Sequence, residues 1–136
     1  MEVTREDGLF ISDDPALVDP DKVFRWIGEE SWWAVGRPRD VVERSLAGSH
    51  VYGVYADRET MVGVTRVITD HATFAYLCDV YVDEAYRGKG IGPWLSREIV
   101  ADMGPRAKLN ATQQSALLSY LLAARAAVLA ARVQGT

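Results

Sequence analysis

The sequence predicts an α+β domain built on an antiparallel meander, and three observations carry this. The stretch Phe74–Val82 reads FAYLCDVYV, in which eight of nine residues are apolar or aromatic and only Asp79 is charged. Such a run suits a strand covered on both faces. An alternating segment, His50–Tyr55, and a return strand, Met61–Ile68, precede it, with turn residues Asp57-Arg58-Glu59 between them and Asp70-His71 after them. The three make a meander. Arg87-Gly88-Lys89-Gly90-Ile91-Gly92 then leads into Pro93, Trp94, Leu95 and Ile99 at helical spacing, so a strand passes through a glycine-rich loop into a helix.

The other elements follow in order. Val3 to Ile11 reads as a short hairpin or edge strand with Glu6-Asp7-Gly8 as its turn, ended by Asp13-Asp14-Pro15. Asp19-Pro20 starts a helix, with Asp as the cap and Pro in the first helical position, and Val23, Phe24, Trp26 and Ile27 give it an apolar face. Ser31 to Gly36 is a loop holding Trp32 and Trp33. Arg37-Pro38 opens a second helix with Val41, Val42 and Leu46 inward and Gly48 as its stop. The helix after the glycine loop ends near Met103-Gly104-Pro105, and Ala107 to Ala111 reads as another strand.

At 136 residues the chain is read as a single domain spanning 1–136, large enough to bury one core. Its single cysteine, Cys78, rules out an internal disulfide framework. The start of the chain lacks an apolar secretion segment, which makes a reducing, cytoplasmic location the expectation. The net charge of -4 argues against nucleic acid. Acidic residues crowd the start and basic ones the later half, which suits a polyanionic cofactor on the later half and a cationic amine on the earlier. No metal is expected.

The glycine-rich loop points to an anion. Glycines let backbone approach a ligand closely. A helix starting there aims free N–H groups and partial positive charge at whatever lies in front. Arg87 and Lys89 add two cations, so the loop reads as a phosphate or pyrophosphate site. No Gly-x-x-x-x-Gly-Lys-Ser/Thr run exists, and Gly88-x-Gly90-x-Gly92 is not the dinucleotide spacing.

The Arg-x-x-Gly-x-Gly arrangement, after a strand ending Val-Tyr-Val-Asp-Glu, resembles the acyl-CoA-binding motif of the GNAT N-acyltransferase superfamily, from about residue 50 to 112. The resemblance implies a GNAT-like mixed sheet: an antiparallel meander plus a splayed parallel strand, with helices on both faces. It implies acetyl-CoA as cosubstrate, with backbone groups of Val80, Tyr81 and Val82 lining the pantetheine arm. The amides of Arg87, Gly88, Lys89, Gly90, Ile91 and Gly92 would hold the pyrophosphate, less one donor because Pro93 has no N–H. Trp32 and Trp33 would shape the acceptor pocket, where they could stack on a substrate or hold a cation.

For the chemistry, an amine must be neutral to attack a thioester. The candidates for general base are Asp79, Glu84 and His71, or a water held by one of them. Asp79 stands out because desolvation in an apolar strand would raise its pKa towards neutrality; the competing reading is a structural carboxylate satisfied by backbone donors or an arginine. Cys78 reads as core rather than nucleophile.

After residue 112 the chain departs from the family pattern. Ser119 falls where a tyrosine that protonates the leaving thiolate belongs, and Tyr120 comes one residue late, about 100 degrees around a helix. The final two strands are missing from the pattern. In their place Gln113 to Gln134, rich in Ala, Leu and Arg, reads as a helix apolar on many sides. It is short for a membrane span and carries Arg125, so a membrane role is rejected. It would replace the strands in the core, pack against a second copy, or reflect a changed reading frame. The expected function is an N-acetyltransferase moving an acetyl group from acetyl-CoA to a primary amine by direct attack, with Asp79 and Tyr120 as catalytic candidates. The alternative is a catalytically impaired CoA-binding module that forms a homodimer through its last helix. A nucleotide-binding domain of another family is disfavoured by the meander.

Overall fold

The computed structural model describes residues 1–106, with side chains to residue 104. Its centre is a five-stranded antiparallel sheet in the order β1-β2-β3-β4-β5: Glu2–Thr4, Phe10–Ser12, His50–Asp57, Thr60–Thr69 and Ala75–Val82. The expected first hairpin is β1–β2, turning at Gly8 with φ +89°, a conformation open to glycine because it has no Cβ. The three-stranded meander is β3–β4–β5, as the three strand segments and the turns between them predict.

Helices cover both faces of this sheet. α1 (Pro20–Val23) starts where Asp19 accepts hydrogen bonds from the amides of Asp21 and Lys22, at 3.1 and 3.2 Å. It widens into a π-helical segment over Phe24–Glu30 that the sequence pattern did not foreshadow. α2 (Arg39–Ala47) follows and is stopped at Gly48. These helices bury Val23, Trp26, Ile27 and Val42 against Phe10, Tyr55, Met61, Val64 and Tyr81. The opposite face carries α3 (Ile91–Arg106). Ile91, Trp94, Leu95, Ile99 and Met103 recur at helical spacing and pack on Ile11, Tyr52, Val54, Val62, Val67 and Leu77. Pro93 sits in the first turn of α3, where its missing N–H leaves no intrahelical bond unmade.

The α+β class and the two covered faces therefore hold. The expected strand at Ala107–Ala111, the helix from Gln113 to Gln134, Ser119 and Tyr120 lie outside the described residues. Among the described residues no helix is long and apolar enough to cross a membrane.

One irregularity positions the site. Val64 pairs with Tyr81, but Arg66 pairs with Cys78, so β5 carries one residue more than β4 across this step. Asp79 lies in the bulge with φ +53°, a left-handed conformation that Asp tolerates better than most residues. Leu77, Val80 and Val82 all pack towards α3. Strict alternation would have put residue 79 on that face too. The bulge turns its carboxylate to the α1–α2 side instead.

Candidate active site

On the α1–α2 side the carboxylate of Asp79 meets three donors. Trp33 Nε1 donates to Oδ1 at 2.9 Å, while Arg37 Nη1 and Arg66 Nε donate to Oδ2 at 2.7 and 2.8 Å. Arg66 is fixed in turn by Ser49 Oγ, at 2.8 Å from its Nη1. Burial works to raise the Asp79 pKa, but the hydrogen bonds from Arg37, Trp33 and Arg66 outweigh it and hold the group below its ordinary value. This corrects the sequence expectation of a raised pKa. Desolvation was the visible part of the problem, whereas Arg37 and Arg66 lie 42 and 13 residues away in the chain. The Cys78 thiol beside this group is pushed up by burial, so it stays protonated and unreactive at neutral pH.

Two residues on, Tyr81 stacks on Trp26 with ring centroids 5.4 Å apart and donates its hydroxyl to Glu30 Oε2 at 2.8 Å. Burial and that bond push its pKa up to about 12. Trp33 lies tilted against the same ring, and Trp32 meets Trp33 edge-on at 5.7 Å while remaining 60% exposed. The two tryptophans thus differ in kind: Trp33 is tied to the Asp79 carboxylate and Trp32 offers a free aromatic face. Glu30, Arg37 and Arg66 belong to this constellation and were not singled out by the sequence. Their types are common surface residues, and only the fold gathers them.

β5 then leads into the glycine loop. Val80 and Val82 lean on the α3 core. The Val82 carbonyl accepts Arg87 Nε at 2.8 Å, and the Arg87 guanidinium sits 5.0 Å over the Tyr81 ring. Arg87 therefore braces the strand end. Gly88 and Gly90 take φ +81° and +72°, which favour glycine strongly. A Cβ added at Gly88, Gly90 or Gly92 would meet nothing within 4 Å, so this side of the loop is open. The amides of Ile91 and Gly92 open α3 without intrahelical acceptors, ahead of Trp94, which bonds the Gly90 carbonyl at 3.2 Å. Lys89 lies with its ammonium 5.0 Å over the Tyr86 ring. From the far end of the sheet Arg5 reaches in, donating to the Lys89 carbonyl at 3.0 Å with its guanidinium over Trp94 and its other edge on Asp7. Nothing local in the sequence signals that link across 84 positions.

The site is thus a bulged strand edge, an aromatic and charged wall beside it, and an open glycine loop at the mouth of a 16-residue helix. Glycines without obstruction, helix-start amides that find no intrahelical acceptor and nearby cations fit a diphosphate.

The remaining candidates for base lie elsewhere. His71, with φ +58°, sits in the β4–β5 turn against the ring of His50, at 5.4 Å. Glu84 lies in the short turn after β5 and is exposed.

The model of the GNAT acetyltransferase domain family matches residues 47–132, reaching 20 residues past the point where the motif resemblance stops. A curated protein of Gibberella zeae named "putative acetyltransferase" is 34% identical over 110 residues, covering 68% of this chain. The chain spans 62% of the length of that relative. A crystal structure from Xanthomonas campestris, named as a "putative acetyltransferase belonging to the gnat family", is 33% identical with a TM-score of 0.67, covering 72% of this chain and 68% of that one. The fold alone is shared with a crystal structure from Deinococcus radiodurans named as a "putative acetyltransferase", 17% identical with a TM-score of 0.57 over 75% of this chain and 71% of that one. With the family model matching well over half of its length, the chain belongs to the GNAT acetyltransferase family.

Proposed function

We propose that this chain is an N-acetyltransferase that moves the acetyl group of acetyl-CoA directly to a primary amine. The observation that carries the reading is the open Gly88–Gly92 loop at the N-terminus of α3, immediately after a bulged strand. Family membership supports acetyl transfer in general, and the cosubstrate, acceptor and residue roles are the proposal. The amides of Ile91 and Gly92, with those of Gly88 to Gly90, would hold the diphosphate, and Lys89 would add charge; the Arg87 amide expected to join them is instead taken by the Glu84 carbonyl at 3.3 Å. The backbone of Val80, Tyr81 and Val82 would align the pantetheine arm, with Arg87 holding the strand end in place. Acetyl-CoA supplies an activated thioester.

The neutral amine attacks the carbonyl carbon. A C–N bond forms, the C–S bond breaks, the amine loses a proton and the thiolate gains one. With three donors on it, Asp79 is a poor base. Its part is to position Arg37 and Trp33 beside the bulge, and the amine's proton passes to water. Tyr120 remains the proposed donor to the thiolate. Trp32 and Trp33 form the acceptor wall.

A thermal-shift comparison with CoA, acetyl-CoA and ATP tests the reading. At about 100 times Kd the two CoA species should each add roughly 2.7 kcal/mol of stability, with a much smaller effect from ATP. Acetyl-CoA should then be consumed with release of free thiol when amines are supplied. No stabilisation by either CoA species would overturn the assignment.

A further inference from the structure

The charges around Asp79 do not balance. One carboxylate faces two guanidiniums, with side-chain exposures of 6% for Asp79, 12% for Arg66 and 25% for Arg37. Among the described residues no second acid lies in salt-bridge range of either arginine. A part-buried net positive charge is costly unless an anion arrives to meet it. Arg66 is nearly enclosed, and its Nε and Nη1 donate to Asp79, Ser49 Oγ and the Ser45 carbonyl. Arg37 differs. Only its Nη1 is used, on Asp79, and among the described residues its Nε and Nη2 find no protein acceptor. That Nε–Nη2 edge is the planar two-donor face that matches a carboxylate. It belongs to a side chain held next to the strand bulge, beside Trp33, with the exposed Trp32 ring adjoining.

We infer that the acceptor is an amine carrying a carboxylate, of amino-acid type, and that Arg37 binds that carboxylate. The inference rests on the acetyltransferase reading above. On the Tyr81 side of this wall Glu30 accepts the Tyr81 hydroxyl on Oε2 and lies 3.8 Å from Arg25 Nε through Oε1, with its side chain 46% exposed.

The test uses the full chain and acetyl-CoA, with a panel of free amino acids and their methyl esters. Rates are compared per neutral amine, since esterification changes the amine's own ionisation. The free acids should be favoured at least tenfold in kcat/KM. Arg37→Gln should bring that ratio towards one by raising KM for the acids, and Arg37→Lys should restore part of it. Equal or better use of the esters overturns the inference while leaving the enzyme reading intact. So does an Arg37→Gln loss of kcat that is equal for acid and ester, because the charge would then serve the oxygen on which negative charge develops. If Arg37→Gln fails to fold, the wild-type protein decides. With CoA present, an N-acetyl amino acid should raise Tm and its methyl ester should not, and equal shifts overturn the inference. Absence of any shift with CoA overturns the acetyltransferase reading instead.

Discussion

At the scale of single residues, Asp79 shows how partners decide the fate of a buried acid. Its carboxylate is held ionised by Arg37, Trp33 and Arg66 against the pull of burial. Removing it by Asp79→Ala would strand two guanidiniums, and breaking a buried ion pair from one side costs about 3–5 kcal/mol. Chemical denaturation at pH 7 should show a loss of that size. The pH dependence has a definite sign. A carboxylate whose folded pKa lies below its unfolded value of about 3.9 stabilises the fold above that pH, and the contribution fades as pH falls through the folded value. The Asp79→Ala penalty should therefore be full at pH 6 and shrink in acid below pH 4. A penalty that stays constant down to pH 2 would mean that the carboxylate does not carry it. At this scale the sequence marked the right residue, and of its two readings the carboxylate satisfied by arginine holds while the raised pKa does not. An isolated acid in an apolar run signals burial, but its partners come from a loop and a neighbouring strand.

At the scale of elements, the sequence showed most of what the backbone does alone. Alternation gave β3, the turn residues after it gave the return strand β4, a continuous apolar run gave β5, the Asp19-Pro20 cap gave α1, and the glycine loop gave the entry to α3. It missed what arises between elements. The extra residue in β5 is defined only against β4, and the π-helical segment that follows α1 carries Trp26, stacked on Tyr81 from the far strand, with no local signal for it. The loop itself allows stability and binding to be separated. Gly92 has no left-handed φ, lies in the first turn of α3 and would receive a Cβ without contact. Gly92→Ala should leave stability unchanged or raise it by up to about 1 kcal/mol, because alanine has the higher helix propensity. The added methyl would occupy the open side of the loop, so CoA affinity should fall about tenfold or more, read by calorimetry beside a melting curve. Unchanged affinity would place the diphosphate elsewhere.

At the scale of the whole molecule, two cores back one sheet, and the site lies where β5 passes from one to the other. The α3 core sets the glycine loop, and the α1–α2 core sets the acceptor wall. Family and fold were legible because the loop motif and the meander are local patterns with fixed spacing. The composition of the wall was not, since Glu30, Arg37 and Arg66 acquire meaning only by convergence. Arg5 shows the same limit over a longer span. It ties the tip of the first hairpin to the Lys89 carbonyl and so joins the outermost strands to the loop. A tether works in both directions. Whatever quiets the loop should also quiet the hairpin tip, so amide hydrogen exchange at residues 5–9 should slow when CoA is added, and Arg5→Ala should abolish that distant protection. Unaltered exchange there would mean that the tie is slack. If it is taut, a ribbon far from the chemistry serves as a gauge of cosubstrate occupancy.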